Sequence, residues 1–207
     1  MPKLIFRDLR ADEIECRIST INDKGLTLLL YKDARCDMNI LDETVGPFDW
    51  KREHTRDNAN CIVSIWDEDK NQWVSKEDTG TESNTEKEKG LASDSFKRAC
   101  FNWGIGRELY TAPRIWIDAS KFDSKYDKFS VTDISIVDKK IVGLTIFNNT
   151  KGQTVYKYGK SARERLREFC NKNGIDKKVV SDTCGLDKDS TEQDYLEALS
   201  YAEGLIE

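Results

Sequence analysis

The chain has one histidine and six cysteines in 207 residues, and each scarcity excludes something. A lone imidazole, His54, leaves no second histidine for a metal site, and no base partner for it is identifiable. The cysteines, at 16, 36, 61, 100, 170 and 184, include no C-x-x-C pair, so reduced and mostly buried thiols are expected rather than zinc ligands or a disulfide framework. No apolar run approaches the roughly 20 residues that span a bilayer, and Met1 to Asp8 lacks the apolar stretch of a signal peptide. A cytoplasmic protein without a membrane partner is expected.

An excess of positive charge is also missing: the net charge is −5. Its distribution matters more than its sum. Residues 176–207 hold nine acids and three lysines, a charge of −6, which leaves +1 on residues 1–175. A polyanion partner therefore requires a local basic groove on a near-neutral body, with an acidic tail elsewhere. Five Trp, seven Tyr and eight Phe argue against a disordered chain, although charged residues reach 34%.

Periodicity gives the coarse elements. Ile14, Cys16 and Ile18 alternate with polar neighbours as in a strand, Asn22 to Gly25 forms a turn, and Leu26 to Tyr31 returns. Asp33 is placed to cap a helix with an apolar stripe of Ala34, Met38, Leu41 and Val45, ended by Gly46-Pro47. A strand through Trp50, Arg52 and His54 follows. Cys61–Trp66 and Trp73–Asp78 then read as a hairpin around Asp67 to Asn71. Trp50, Trp66 and Trp73 read as core.

The strongest helix signal follows. Thr85 and Glu88 have capping-box spacing, and the helix runs to about Trp103 before Gly104. Ala92, Phe96, Ala99, Cys100 and Trp103 fall within about 100° of one another and form the buried face. Lys87, Lys97, Arg98 and Phe101 fall on the other side. For an arbitrary helix this is a solvated face with one stray aromatic. Cations beside an aromatic are also the ingredients of a single-strand groove, where stacking is worth about 1–3 kcal/mol per base.

The stretch Lys89-Gly90-Leu91-Ala92-Ser93-Asp94-Ser95-Phe96-Lys97-Arg98-Ala99-Cys100-Phe101-Asn102-Trp103-Gly104-Ile105-Gly106-Arg107-Glu108-Leu109-Tyr110 resembles the signature helix of the Rad fifty-two family, with its nearest likeness to bacteriophage annealing proteins of the Sak type. Leu30 to Arg35 with Leu41 to Trp50 looks like the family's first helix and its exit, and Trp73 to Gly80 like the strand before the signature helix. The blocks stand in the family's order over roughly residues 12–112.

The resemblance implies an α+β fold with a β-β-β-α annealing core, an antiparallel sheet packed on a long helix (1–118); residues 119–207, read from their own patterns as an extension of strands, two or three helices and an acidic tail, lie outside it. It implies ATP-independent binding of single-stranded DNA and annealing of complementary strands, in recombination and repair, by a ring or helical homo-oligomer. No catalysis, cofactor or metal is expected. If the gene is viral, the compartment is the bacterial host's cytoplasm. Coating of single strands without annealing is the alternative. Relatives contact the DNA backbone through the Lys-Arg pair of the signature helix, here Lys97 and Arg98. An arginine on their early strand lines the groove, and its counterpart by position is Arg17. Relatives from eukaryotes carry a further cation where this chain has Phe101.

Physical chemistry favours Lys97 and Arg98 independently. Annealing needs the backbone held and the pairing edges free, and phosphate contacts position a strand without reading it. Arg107, Lys87 and Lys89 are second-tier candidates for the same groove; for Arg107 a salt bridge holding the turn competes. Arg35, Lys51, Arg52 and Lys76 read more readily as solvated positions.

Three tempting motifs fail. Gly159-Lys160-Ser161 ends like a phosphate loop, but Thr154 stands where that loop needs glycine and two tyrosines stand where it needs small residues, so Ser161 with Glu164 reads as a capping box. Asp57 with Glu68-x-Lys70 imitates a nuclease metal site, yet Glu68 and Lys70 fall in a turn. Gly104 and Gly106 lack the third glycine of a dinucleotide site. Farther on, Phe129–Val137, Ile141–Phe147 and Gln153–Tyr158 read as strands extending the core sheet. A helix from Ala162 to Asn171 exposes Arg163, Arg165 and Arg167, and a last helix spans Glu192 to Ile206. The acidic end is a candidate dock for a single-strand-binding protein or an exonuclease.

Overall fold

The computed structural model describes residues 4–81 and 87–206, with the side chains of all of these but Lys87, Glu88, Lys89 and Glu192. In chain order the strands are β1 (Glu15–Asn22), β2 (Gly25–Tyr31), β3 (Trp50–Thr55), β4 (Asn60–Asp67), β5 (Gln72–Thr79), β6 (Ile115–Asp118), β7 (Phe129–Val137), β8 (Lys140–Asn148) and β9 (Gln153–Gly159). The helices are α1 (Ala34–Val45), α2 (Lys87–Trp103), α3 (Ala162–Asn173), α4 (Lys177–Thr183) and α5 (Glu192–Gly204). The fold is α+β. Compactness groups Met1–Glu15 with Leu30–Tyr110, and Cys16–Leu29 with Thr111–Glu207, so segments 16–29 and 111–118 fall in the second unit.

The first unit is a β-β-β-α arrangement preceded by α1. Strands β3, β4 and β5 form an antiparallel sheet in that order, with Trp50 opposite Ile65 and Trp66 opposite Trp73. Cys61, Val63 and Ile65 point to one face, and α2 packs there, burying Phe96, Ala99 and Cys100 completely. Full burial of a side chain such as Phe96 stabilises by about 1.5–3 kcal/mol. The expected helix core of Phe96, Ala99 and Cys100 is confirmed; Ala92 and Trp103 are half-buried, and Ser95 joins the buried set. The Thr85–Glu88 capping box lies outside the described residues.

Two expectations are corrected here. In α1, capped by Asp33 through Arg35 N–H and Cys36 N–H, the buried residues are Cys36, Asp37, Ile40 and Leu41, whereas Ala34, Met38 and Val45 are half-buried. The stripe rotates because Asp37 turns inward to an ion pair with Lys32. Trp73, read as core, is 39% exposed, because it lies on the sheet face that α2 does not cover.

The second unit holds a six-stranded sheet in the order β6-β2-β1-β7-β8-β9. Its core is built from alternating β-branched and leucine side chains, including Leu26, Leu28, Ile117, Val131, Leu144, Ile146 and Val155. The three expected C-terminal strands are present and extend the sheet of β1 and β2; they do not extend that of β3–β5. Ser161 and Glu164 form the expected reciprocal capping box of α3. The acidic segment folds as α4 and α5, whose Val180, Ala198, Leu199 and Ala202 pack with Leu166 and Cys170 of α3. Arg163 and Arg167 of α3 are exposed, but Arg165 is half-buried, against expectation, because its stem lines a cleft with Phe169 and Leu199. Among the described residues no helix is long and apolar enough to cross a membrane.

Candidate nucleic-acid interface

Helix α2 is fixed along its length by the end of β5, by the sheet beneath it and by contacts at its C-terminal end. Along its first half the backbone of Gly80 passes so close that an added Cβ would lie 2.5 Å from Ser95 N and 2.8 Å from Leu91 O, so only glycine allows the end of β5 to approach. Thr81 donates through its N–H and its hydroxyl to Asp94 Oδ2. In the middle, Phe96 stacks on Trp50 at 6.1 Å between centroids, and the Arg52 guanidinium covers it at 4.8 Å. At the end, Trp103 Nε1 donates to Val63 O at 3.0 Å.

The last carbonyls of α2 have cationic caps. Arg107 donates through Nε and Nη2 to Phe101 O at 3.0 and 2.7 Å and through Nη2 to Asn102 O at 3.0 Å; Lys76 Nζ donates to Asn102 O at 2.8 Å. Both complement the negative end of the helix dipole. Arg107 is thus engaged in closing the turn, by carbonyl capping and not by the salt bridge weighed above. Arg107→Ala is expected to cost about 1–2 kcal/mol in urea unfolding and to leave affinity for a single strand within about threefold. A loss of affinity with unchanged stability would make Arg107 a strand contact instead.

Lys97 and Arg98 are consecutive on α2 and flank its outer side, with 22% and 41% of their side chains exposed. Each is oriented by an acid. Lys97 Nζ is 4.0 Å from Asp94 Oδ1 one turn back, and Arg98 Nε donates to Asp78 Oδ1 at 3.3 Å. Asp78 also accepts from Asn102 Nδ2 and Thr79 N–H, so the carboxylate is held in place at the end of β5. Both pairs are long and partly exposed, which makes them weak: about 0–1 kcal/mol each. A phosphate can take over such cations at little cost.

Phe101 is half-buried. Its ring meets Tyr110 at 4.9 Å between centroids, and the Lys32 ammonium sits over it at 4.3 Å. Lys32 and Asp37 are both fully buried and hydrogen-bonded to each other. Gly106 makes room for this: a Cβ there would overlap the Lys32 stem. Burial pushes Asp37 up to about 6, with Lys32 and, more distantly, Lys97 pulling it back. Phe101 thus already has an aromatic and a cationic neighbour, and its place on α2 is set from beneath by a buried charge pair.

The remaining candidates fall elsewhere. Arg17 is exposed on β1, in the second unit. The side chains of Lys87 and Lys89 lie outside the described residues. Lys51 pairs with Glu53 at 3.1 Å, and Arg35 approaches Asp33 at 3.7 Å. Glu68 and Lys70 sit in the β4–β5 turn as expected, where Asp67 accepts from Lys70. Residues missed by sequence reasoning are Lys32 and Asp37, whose burial has no periodic signal, and Phe48, 91% exposed after Gly46-Pro47. Burial pushes the thiols of Cys36 and Cys61 up to about 12 and 11, and none of the six cysteines forms a disulfide. Among the described residues no group of three His, Cys, Asp or Glu is placed to hold a metal ion.

A stretch of 93 residues, 44% of the chain, is 34% identical to the single-stranded DNA-binding protein DdrA of Deinococcus radiodurans. The match spans 44% of that protein, less than half its length. No family model matches the chain, and no solved structure matches it.

Proposed function

We propose that this protein binds single-stranded DNA along the Lys97–Arg98 side of α2 and promotes the annealing of complementary strands without a nucleotide cofactor, as a homo-oligomer related to the Rad fifty-two family. The observation that carries the reading is the two adjacent cations, accessible on a helix whose opposite side is locked into the sheet. The similarity to a single-stranded DNA-binding protein supports single-stranded DNA as the ligand.

The mechanism follows from what such cations recognise. Phosphates replace Asp94 and Asp78 as partners of Lys97 and Arg98, and the strand is held by its backbone. Its pairing edges stay available to a complementary strand. Phe101 is a secondary contact in this reading, with Lys87 and Lys89 adding to the field. One subunit offers few contacts, so a chain of subunits on one strand supplies the avidity.

Two complementary oligonucleotides carrying a fluorophore and a quencher test the function. Annealing activity accelerates quenching without ATP or magnesium, and the acceleration falls steeply with salt. Slower quenching than with DNA alone identifies a passive coat, and magnesium-dependent cleavage identifies a nuclease; either result rejects the proposal.

A further inference from the structure

The β3–β4–β5 sheet has a second face. Alternation along the strands puts Trp50, Arg52, Val63 and Lys76 toward α2, and Lys51, Glu53, Trp66, Trp73 and Glu77 away from it. Trp66 and Trp73 are directly opposite each other and meet edge to face at 5.4 Å. Trp73 is 39% exposed and has the Lys51 ammonium over its ring at 5.0 Å. The Trp66–Trp73 pair therefore forms an aromatic patch at one end of this face.

The rim of the patch is acidic. Asp67, Glu68 and Asp69 lie in or beside the β4–β5 turn, next to the tryptophans, and Glu53 and Glu77 flank the face. The local cations Lys51 and Lys70 are already paired, with Glu53 and Asp67. Such a surface repels phosphate. An aromatic centre inside a charged rim is the anatomy of a protein interface.

The chain carries a surface of opposite character. Lys157 and Tyr158 are exposed on β9, and Arg163 and Arg167 are exposed at the start of α3. The two acids of that helix turn are occupied locally: Glu164 closes the capping box and Glu168 holds Lys160 at 2.5 Å.

We propose that the Trp66–Trp73 face docks a second copy of this chain, through that copy's Lys157, Arg163 and Arg167 surface. Unlike patches meet, so each copy keeps one unused patch of each kind, and the contact propagates from subunit to subunit. This inference gives a physical basis to the homo-oligomer in the function proposed above and rests on that reading for its purpose only.

Charge reversal tests it. One variant carries Glu68→Lys, Asp69→Lys and Glu77→Lys; the other carries Lys157→Glu, Arg163→Glu and Arg167→Glu. Sedimentation velocity without DNA is expected to show assembly of the parent, at least about tenfold weaker assembly of each variant alone, and restored assembly in their equimolar mixture. Trp73→Ala, with every charge in place, is expected to weaken assembly about tenfold as well. A monomeric parent, a variant that assembles like the parent, or a mixture that stays dissociated overturns the inference. All these variants retain Lys97 and Arg98, so binding of an oligonucleotide short enough for one subunit, read by anisotropy, stays at the parent level. Failure of that binding in the parent rejects the strand-binding reading and leaves the assembly result intact.

Discussion

Replacing Lys97 and Arg98 together with alanine is expected to weaken single-stranded DNA binding about 100-fold or more. Hydrogen bonds to charged groups contribute about 1.5–3 kcal/mol each, and two of them are lost in every subunit. The slope of log affinity against log salt should fall by about 0.7 for each phosphate contact removed. Stability should change by less than about 1 kcal/mol, because both cations are partly exposed and their partners, Asp94 and Asp78, remain in contact with solvent. Oligomers should persist, since neither residue belongs to the aromatic face of the sheet. Fluorescence anisotropy over a salt series reads the effect; an unchanged affinity would remove α2 from the binding site.

Asp37→Ala is expected to destabilise the protein by about 3–5 kcal/mol, which is large against a typical total of about 5–15 kcal/mol. The variant leaves the Lys32 ammonium buried beneath Phe101 with no counter-charge. The double variant Lys32→Met with Asp37→Leu removes both charges and should recover most of the loss. Asp37 also gives the native state a pH dependence. Its carboxyl is raised from 3.8 to about 6 by burial, so the protonated form is favoured on folding. The associated stability is full below about pH 4 and is lost as pH rises through about 6. Asp37→Asn should flatten this dependence. Urea unfolding followed by tryptophan fluorescence between pH 4 and 8 measures all three variants. A cost below about 1 kcal/mol for Asp37→Ala would mean that Lys32 does not depend on the pair.

The sequence was most legible where local rules and tertiary context agree. The β4–β5 hairpin, the Asp33 cap of α1, the Ser161–Glu164 box and the buried side of α2 each follow from patterns a few residues long. The short strand β6 and helix α4 escaped, because four and seven residues are too few to show a period. The stripe of α1 was misplaced because a buried aspartate overrides apolar periodicity, and its lysine partner lies outside the helix. Trp73 was taken for core because composition does not reveal which face of a sheet a helix covers. In the candidate site, Lys97 and Arg98 were legible from the helical wheel and the resemblance. What orients them was not: Asp78 reaches Arg98 from a strand 20 residues away, and Lys32 lies under Phe101 from before α1.

The proposed binding mode holds the strand by its phosphates with its bases turned outward. Dimethyl sulfate methylates N1 of adenine and N3 of cytosine when those pairing edges are open. On a mixed-sequence single strand saturated with this protein, the account predicts methylation at those atoms equal to that of the free strand. Protection of N1 and N3 along the bound strand would contradict it.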